Sequence, residues 1–256
     1  MLLVDVADGV AVLTLHRPER RNALNSELTR ALRSAMADAD VDDAVSVIVL
    51  TGSDPAFCAG VDLQELGGSG GNPNRFAPGG DVEPGRPWVR TTKPVIGAVN
   101  GPAVTGGFEL ALQCDFLVAS DRASFGDTHA RVGLLPGWGL SVLLPQAVGV
   151  RRAREMSLTG NFLSADEAVG FGLVNHVVAH DELLAFVHKL AVDIAGNDQR
   201  AVRALLAEYD ETSATTVHEA LRIESANANR WNTDPATVAA IAERRQAIIE
   251  RGRSQV

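Results

Sequence analysis

Val95-Ile96-Gly97-Ala98-Val99-Asn100-Gly101-Pro102-Ala103-Val104-Thr105-Gly106-Gly107-Phe108-Glu109-Leu110 decides the fold class. Its first five residues form a short apolar run stopped by Asn-Gly-Pro, which suits a strand buried on both faces. Gly106 and Gly107 then open a second apolar stretch whose length and spacing suit a buried helix. Working outward, Val45–Leu50 upstream and Phe116–Ala119 downstream read as further buried strands. Strand, helix, strand, helix, strand argues for an α/β core with right-handed crossovers.

Nearer the start, Leu2–Val6 and Val10–Leu15 flank Ala7-Asp8-Gly9 and read as a hairpin. Ser26 is expected to cap a helix Glu27–Asp38 that puts Leu28, Ala31, Leu32 and Ala35 on one face. The stretch Gly67–Pro87 is crowded with glycine and proline and reads as a long loop. From about Trp138 the pattern is helical apart from the apolar run Leu173–Val178. Ser164-Ala165-Asp166-Glu167 has the form of a capping box. Amphipathic helices are expected over Asp181–Ala195, Gln199–Asp210, Thr216–Ala228 and Ala236–Arg251.

The chain has 256 residues, of which 46% are hydrophobic and 21% charged, so it can build a large packed core. Its formal net charge of -9 argues against a basic face for nucleic acid. Cys58 and Cys114 form no CxxC pair, so neither a disulfide framework nor a metal site is expected. A reducing, cytoplasmic setting is the simplest expectation. Met1–Val10 lacks a basic n-region, and no apolar run approaches the roughly 20 residues of a membrane helix. No secretory signal and no membrane partner are therefore expected.

Three segments carry chemistry. In Ala56-Phe57-Cys58-Ala59-Gly60-Val61-Asp62-Leu63, small residues allow close backbone approach to a ligand, and Asp62 can begin a short helix with free N–H groups. An ordinary strand-to-helix turn would read the same way. At Gly106 and Gly107 a helix N-terminus again exposes N–H groups that favour negative charge. Glu109 lies in the first turn of that helix. It could simply complement the helix dipole, but Phe108, Leu110, Ala111 and Leu112 surround it with apolar side chains. A carboxyl in such a pocket is raised toward the range a general base needs. The third segment, Ala123–Gly137, holds His129 between glycine turns. No GxGxxG follows the first strand, which argues against dinucleotide binding.

These segments together resemble the crotonase (enoyl-coenzyme A hydratase/isomerase) superfamily. The resemblance rests on His16–Asn25, Phe57–Asp62, Lys93–Gly101, Gly106–Asp115, and Leu158-Thr159-Gly160 running to Gly172-Leu173-Val174-Asn175. It implies a spiral of ββα units over residues 1–195 carrying an acyl-CoA site. A helical region over residues 196–256 would drive homotrimers, or hexamers as dimers of trimers. It also implies an oxyanion hole made by the amides of Val61 and Gly106, which holds the enolate of an acyl-CoA thioester. Arg21, Ala23, Leu24, Ala59, Asp62, Leu63, Gln64, Gly107 and Trp138 would line the substrate. Coenzyme A would be part of the substrate, with no separate cofactor and no metal.

Hydratases of this family carry two glutamates. The first falls on Glu109; the second falls on His129, since Phe125-Gly126-Asp127-Thr128-His129 matches a family pattern ending in Glu. Three accounts stay open. Glu109 and His129 together hydrate a trans-2-enoyl-CoA, or Glu109 alone serves a double-bond isomerase, or the chain binds acyl-CoA without turnover. Asp127, two residues from His129, could substitute as the carboxylate if the loop is shifted. The loop Gly67–Trp88, Trp138 and Phe162 are expected to set acyl-chain length.

Overall fold

The computed structural model describes residues 1–67 and 82–254, which fall into two units, Met1–Val202 and Arg203–Val256. The strands, all in the first unit, are β1 (Leu2–Ala7), β2 (Val10–Leu15), β3 (Val47–Gly52), β4 (Val95–Val99) and β5 (Pro102–Val104), then β6 (Phe116–Ser120), β7 (Ser124–Gly126), β8 (Phe162–Ser164) and β9 (His176–Val178). Helices α1 (Ser26–Val41), α2 (Leu63–Gly67), α3 (Gly106–Leu112) and α4 (His129–Val132) come first. They are followed by α5 (Leu140–Val148), α6 (Val150–Thr159), α7 (Ala165–Gly170) and α8 (Leu183–Ala195).

One sheet runs in the order β1-β2-β3-β4-β6-β9, antiparallel at the β1–β2 hairpin and parallel thereafter. A smaller sheet, β5-β7-β8, lies beside it. Two isolated parallel bridges extend that smaller layer, Leu24 to Val61 and Cys58 to Ala103. The chain therefore spirals. β2, β3, β4 and β6 each lie in the large sheet, and the extended segments at Leu24, at Cys58–Val61, in β5 and in β7 follow them into the small layer. This is the expected ββα spiral.

Parallel strands covered on both faces need apolar side chains on both, and β3 and β4 are buried along their whole length. On one face Val47, Val49, Ile96, Ala98 and Val118 pack on Leu183, Val187 and Ala191 of α8. On the other, Leu13, Ile48, Leu50 and Val99 join Leu28 and Leu32 of α1 and Phe108 and Leu110 of α3. The second unit comprises the end of α9 (Gln199–Ser213), α10 (Val217–Asn232) and α11 (Pro235–Ser254). Among the described residues, no helix is long and apolar enough to cross a membrane.

Several boundaries differ from the sequence reading for local reasons. The cap of α1 is Asn25, whose side chain accepts from the Leu28 amide at 2.8 Å. Ser26 is thereby the first helical residue, and its amide and hydroxyl both donate to the Glu65 carboxylate, at 2.8 and 2.7 Å. The β3 strand starts at Val47 because Asp42–Val45 closes a turn, the Val45 amide donating to the Asp42 carbonyl. Of the run Leu173–Val178 only the last three residues are strand, since the Leu173 amide closes onto the Ala168 carbonyl behind α7. The capping box at Ser164 and Glu167 is present as expected. Most of the loop Gly67–Pro87 lies outside the described residues.

Candidate active site

The loop between β2 and α1 is shaped first. Arg21 and Asn22 both adopt positive φ, 49° and 56°, a conformation in which asparagine is among the least strained side-chain-bearing residues. Buried Asn22 then donates to the carbonyls of Ser53 and Ala56 at 2.7 Å and of Phe57 at 3.2 Å. Its own carbonyl oxygen Oδ1 accepts from the Arg17 amide at 2.9 Å. One side chain thus holds the first turn of the spiral to the backbone that leads into the second. Sequence reasoning passed over it. Its signal was an asparagine in a charged loop, a residue that tolerates positive φ and carries two donors.

Asp62 serves the same junction. Its carboxylate meets the Arg17 guanidinium at 3.1 Å and accepts from the Gln64 amide at 3.1 Å, just ahead of α2. Burial raises this carboxyl, but the Arg17 hydrogen bond and charge, with the Gln64 and Glu65 amides, outweigh it and hold it below its usual value. Helix α2 starts at Leu63 and not at Asp62. Ala23 offers its carbonyl to Arg17, and Leu24 is buried. Arg21 and Gln64 are exposed, Leu63 is half-exposed and Ala59 is half-buried beside them.

At the next turn of the spiral, Gly107 lies so close to Cys58 that a Cβ would stand 2.2 Å from the Cys58 carbonyl oxygen. The geometry gives Gly107 a packing role. The approach brings the start of α3 against Gly60 and Val61. A Cβ built on Gly60 would be 3.2 Å from the Gly106 amide nitrogen, and one on Gly106 would be 3.6 Å from the Val61 amide nitrogen. Among the described residues neither of these two amides has a hydrogen-bond acceptor. Thr105, the residue before Gly106, is held at φ 53° and ψ -115° by the hydrogen bond its N–H donates to the Gly126 carbonyl and by its hydroxyl contact with Thr128. Such a conformation costs on the order of 1–3 kcal/mol and persists where the surroundings over-determine it.

Glu109 is one turn further along α3 and 3% exposed. Its Oε1 accepts from the amides of Gly137 at 3.0 Å and Trp138 at 2.6 Å. Burial raises its carboxyl above the usual value, against the lowering pull of the Trp138 amide, the His129 charge and the Leu140 and Gly137 amides. Its other oxygen, Oε2, faces His129 Nε2 at 3.7 Å. That is too long for a hydrogen bond, so both atoms keep capacity for a third partner. His129 is itself buried at the start of α4. Trp138 packs into the core with its ring, while its backbone amide and carbonyl serve the site; the carbonyl accepts from Gln113 at 2.7 Å. Phe162 packs its ring against Gly126 and is nearly half exposed. The structure therefore brings Val61, Gly106, Glu109 and His129 into one neighbourhood, while Arg21 and Gln64 lie on the surface.

A family model described as enoyl-CoA hydratase/isomerase matches residues 5–252. The chain is 40% identical to a probable peroxisomal enoyl-CoA hydratase of Arabidopsis thaliana over 87% of this chain and 83% of that one. It is 36% identical to a crotonyl-CoA hydratase of Syntrophomonas wolfei, covering 88% and 86%. Among solved structures, an enoyl-CoA hydratase from Mycobacterium smegmatis shares 53% identity at a TM-score of 0.75, covering 90% and 97%. Another, from Bacillus anthracis, shares 30% at 0.83, covering 98% and 96%. Fold and sequence agree, and the chain belongs to the enoyl-CoA hydratase/isomerase family.

Proposed function

We propose that the protein hydrates trans-2-enoyl-CoA thioesters to 3-hydroxyacyl-CoA. The observation that carries this reading is the pair of unpartnered amides at Val61 and Gly106, close to a buried Glu109 that faces His129. The thioester oxygen accepts from both amides, which stabilise the enolate that forms when C3 is attacked. Loss of one such donor typically costs about 2.7–4 kcal/mol. Glu109, ionised, takes a proton from water as its oxygen bonds to C3. Protonated His129 gives a proton to Cα as the enolate collapses. Glu109 has then gained one proton and His129 has lost one, and transfer across the 3.7 Å between them restores both.

In this reading coenzyme A is part of the substrate and no separate cofactor takes part. Arg21 on the loop before α1, with Leu63 and Gln64 on α2, contacts the coenzyme A portion. Helices α9–α11 serve self-association into trimers or hexamers; exposed Val217, Leu221, Val238 and Ile241 support that assignment. Two unpaired cysteines fit a reducing, cytoplasmic setting.

The test follows the loss of enoyl-CoA absorbance with purified protein, wild type against Glu109→Gln. Equal background rates for both end the hydratase reading. A 3-enoyl-CoA substrate converted in place of the 2-enoyl-CoA would make the protein an isomerase. Tight acyl-CoA binding without product would make it a binding protein.

A further inference from the structure

Asp127 is 1% exposed and has a place in the site that the hydration mechanism above does not use. Its Oδ1 lies 2.7 Å from His129 Nδ1 and also accepts from the His129 backbone amide at 3.1 Å. Two contacts from one oxygen to one residue fix the orientation of the imidazole. They also place the other ring nitrogen, Nε2, toward Glu109 Oε2. We propose that Asp127 is a positioning residue that holds His129 with its proton on Nδ1, so that Nε2 is the nitrogen that exchanges a proton with the substrate.

The inference rests on the hydratase reading for its chemistry and on three structural facts for its geometry. First, an oxygen that accepts from a backbone N–H is acting as an acceptor, so the ring nitrogen beside it acts as a donor. Second, the carboxyl stays ionised: burial raises it, but the His129 ring, the Ser157 hydroxyl, and the His129 amide and charge outweigh that and leave it lowered. An ionised carboxylate can only accept. Third, among the described residues no cationic side chain is recorded against the ring. Helix α3 presents Glu109, α6 presents the neutral Ser157, and Arg131 on α4 itself turns to the Thr159 carbonyl and Asn161.

The pair also explains how a histidine works where the family pattern ends in glutamate. An imidazole without a fixed partner interconverts between two tautomers, and only one of them presents a basic nitrogen to the reacting carbon. An orienting carboxylate removes that ambiguity, as it does in hydrolytic triads.

The test uses the full chain and five proteins: wild type, Asp127→Asn, His129→Ala, the double variant of these two, and Ser157→Ala. Nitrogen-15 spectra of the His129 ring are recorded through a pH titration, beside hydration kinetics on a short trans-2-enoyl-CoA. In wild type the nitrogen that loses its proton as pH rises is expected to be Nε2. Asp127→Asn keeps the shape, but its amide can place an N–H donor against Nδ1 and so hold the opposite tautomer, and its kcat is expected to fall at least about 10-fold with KM little changed. In the His129→Ala background the same change is expected to add no further loss, because Asp127 acts through the ring. Ser157→Ala, which loosens Asp127 without replacing it, is expected to shift kcat the same way by less. Deprotonation at Nδ1 in the wild-type ring overturns the proposal, and so does an equal loss from Asp127→Asn with and without His129. If no variant or wild type hydrates substrate, the hydratase reading falls, and the ring titration alone still decides the role of Asp127.

Discussion

The amide of Trp138 donates to Oε1 of Glu109 at 2.6 Å, so a loop between α4 and α5 holds the carboxyl that α3 carries. Two elements fix one acid. Oε1 is committed to this loop, and Oε2 is the oxygen left to face His129.

Replacing Glu109 by Gln should therefore remove chemistry and spare the fold. Gln keeps an oxygen for the Gly137 and Trp138 amides but cannot take a proton from water. We expect kcat to fall by about 10²–10⁴-fold, the usual contribution of a general base, with thermal unfolding close to wild type. Initial rates and a melting curve on the same preparation decide it. A large drop in Tm would mean that the carboxylate mainly stabilises the loop.

This holding contact was not legible in the sequence, whereas the acid was. Glu109 stood out because four apolar neighbours surround it along the chain, and Gly106–Gly107 marked a helix start through local conformational preference. Strands such as Val95–Val99 were legible for the same reason: their burial on both faces is written as an unbroken apolar run. What joins the turns of the spiral is non-local. Asn22 meets Ser53, Ala56 and Phe57, and Glu65 meets Ser26, across more than 30 residues. No periodicity carries that information. The pairing of Asp127 with His129 is local, only two residues apart, yet the sequence leaves open whether the ring turns toward the carboxylate or away.

The acid limb of the pH profile should lie higher than a solvated carboxylate would place it. Burial raises the Glu109 carboxyl, and hydration requires its ionised form, so kcat/KM is expected to fall as pH drops through a value above the ordinary glutamate figure of about 4.3. A limb at or below that figure would assign the acid step to another group. Stability responds in the opposite sense. The raised Glu109 favours the folded state at low pH, and that contribution is lost as pH rises through its folded value. Asp62 and Asp127 are lowered, so their contributions are present above their unfolded values and are lost as pH falls through the folded ones. Denaturant melts across the acid range of wild type and Asp62→Asn should converge as pH falls.

Two adjacent glycines should separate catalysis from folding. A Cβ on Gly107 would overlap the Cys58 carbonyl at 2.2 Å, a backbone atom that cannot swing aside. Gly107→Ala is expected to cost about 1–3 kcal/mol or more, read as a lower Tm or as insoluble protein. A Cβ on Gly106 meets nothing nearer than 3.5 Å, so Gly106→Ala should fold normally. Its methyl would stand 3.6 Å from the Val61 amide nitrogen and so crowd that donor. A displacement of about 1 Å at a reacting centre can cost about 10²-fold, and a kcat loss up to that size with unchanged Tm is expected. Full activity in Gly106→Ala would argue that the thioester oxygen binds elsewhere.

Asn22 should be the least replaceable side chain of the loop before α1. Three carbonyls, of Ser53, Ala56 and Phe57, receive its amide hydrogens, and its oxygen receives the Arg17 amide. Asn22→Asp is nearly the same shape and tolerates the same positive φ, but it presents an oxygen where hydrogen donors are needed. Leaving a buried acceptor without a partner costs about 1–3 kcal/mol, and here a charge would also face the carbonyls. Asn22→Gly removes the donors but keeps the backbone free to adopt φ 56°. We therefore expect both variants to be destabilised and Asn22→Asp to be the worse of the two at neutral pH, recovering part of the difference in acid as its carboxyl is protonated. Chemical unfolding of the two variants at two pH values is the measurement. If Asn22→Gly proved the less stable at neutral pH, packing of the side chain, and not its hydrogen bonds, would be what holds the first turn of the spiral to the second.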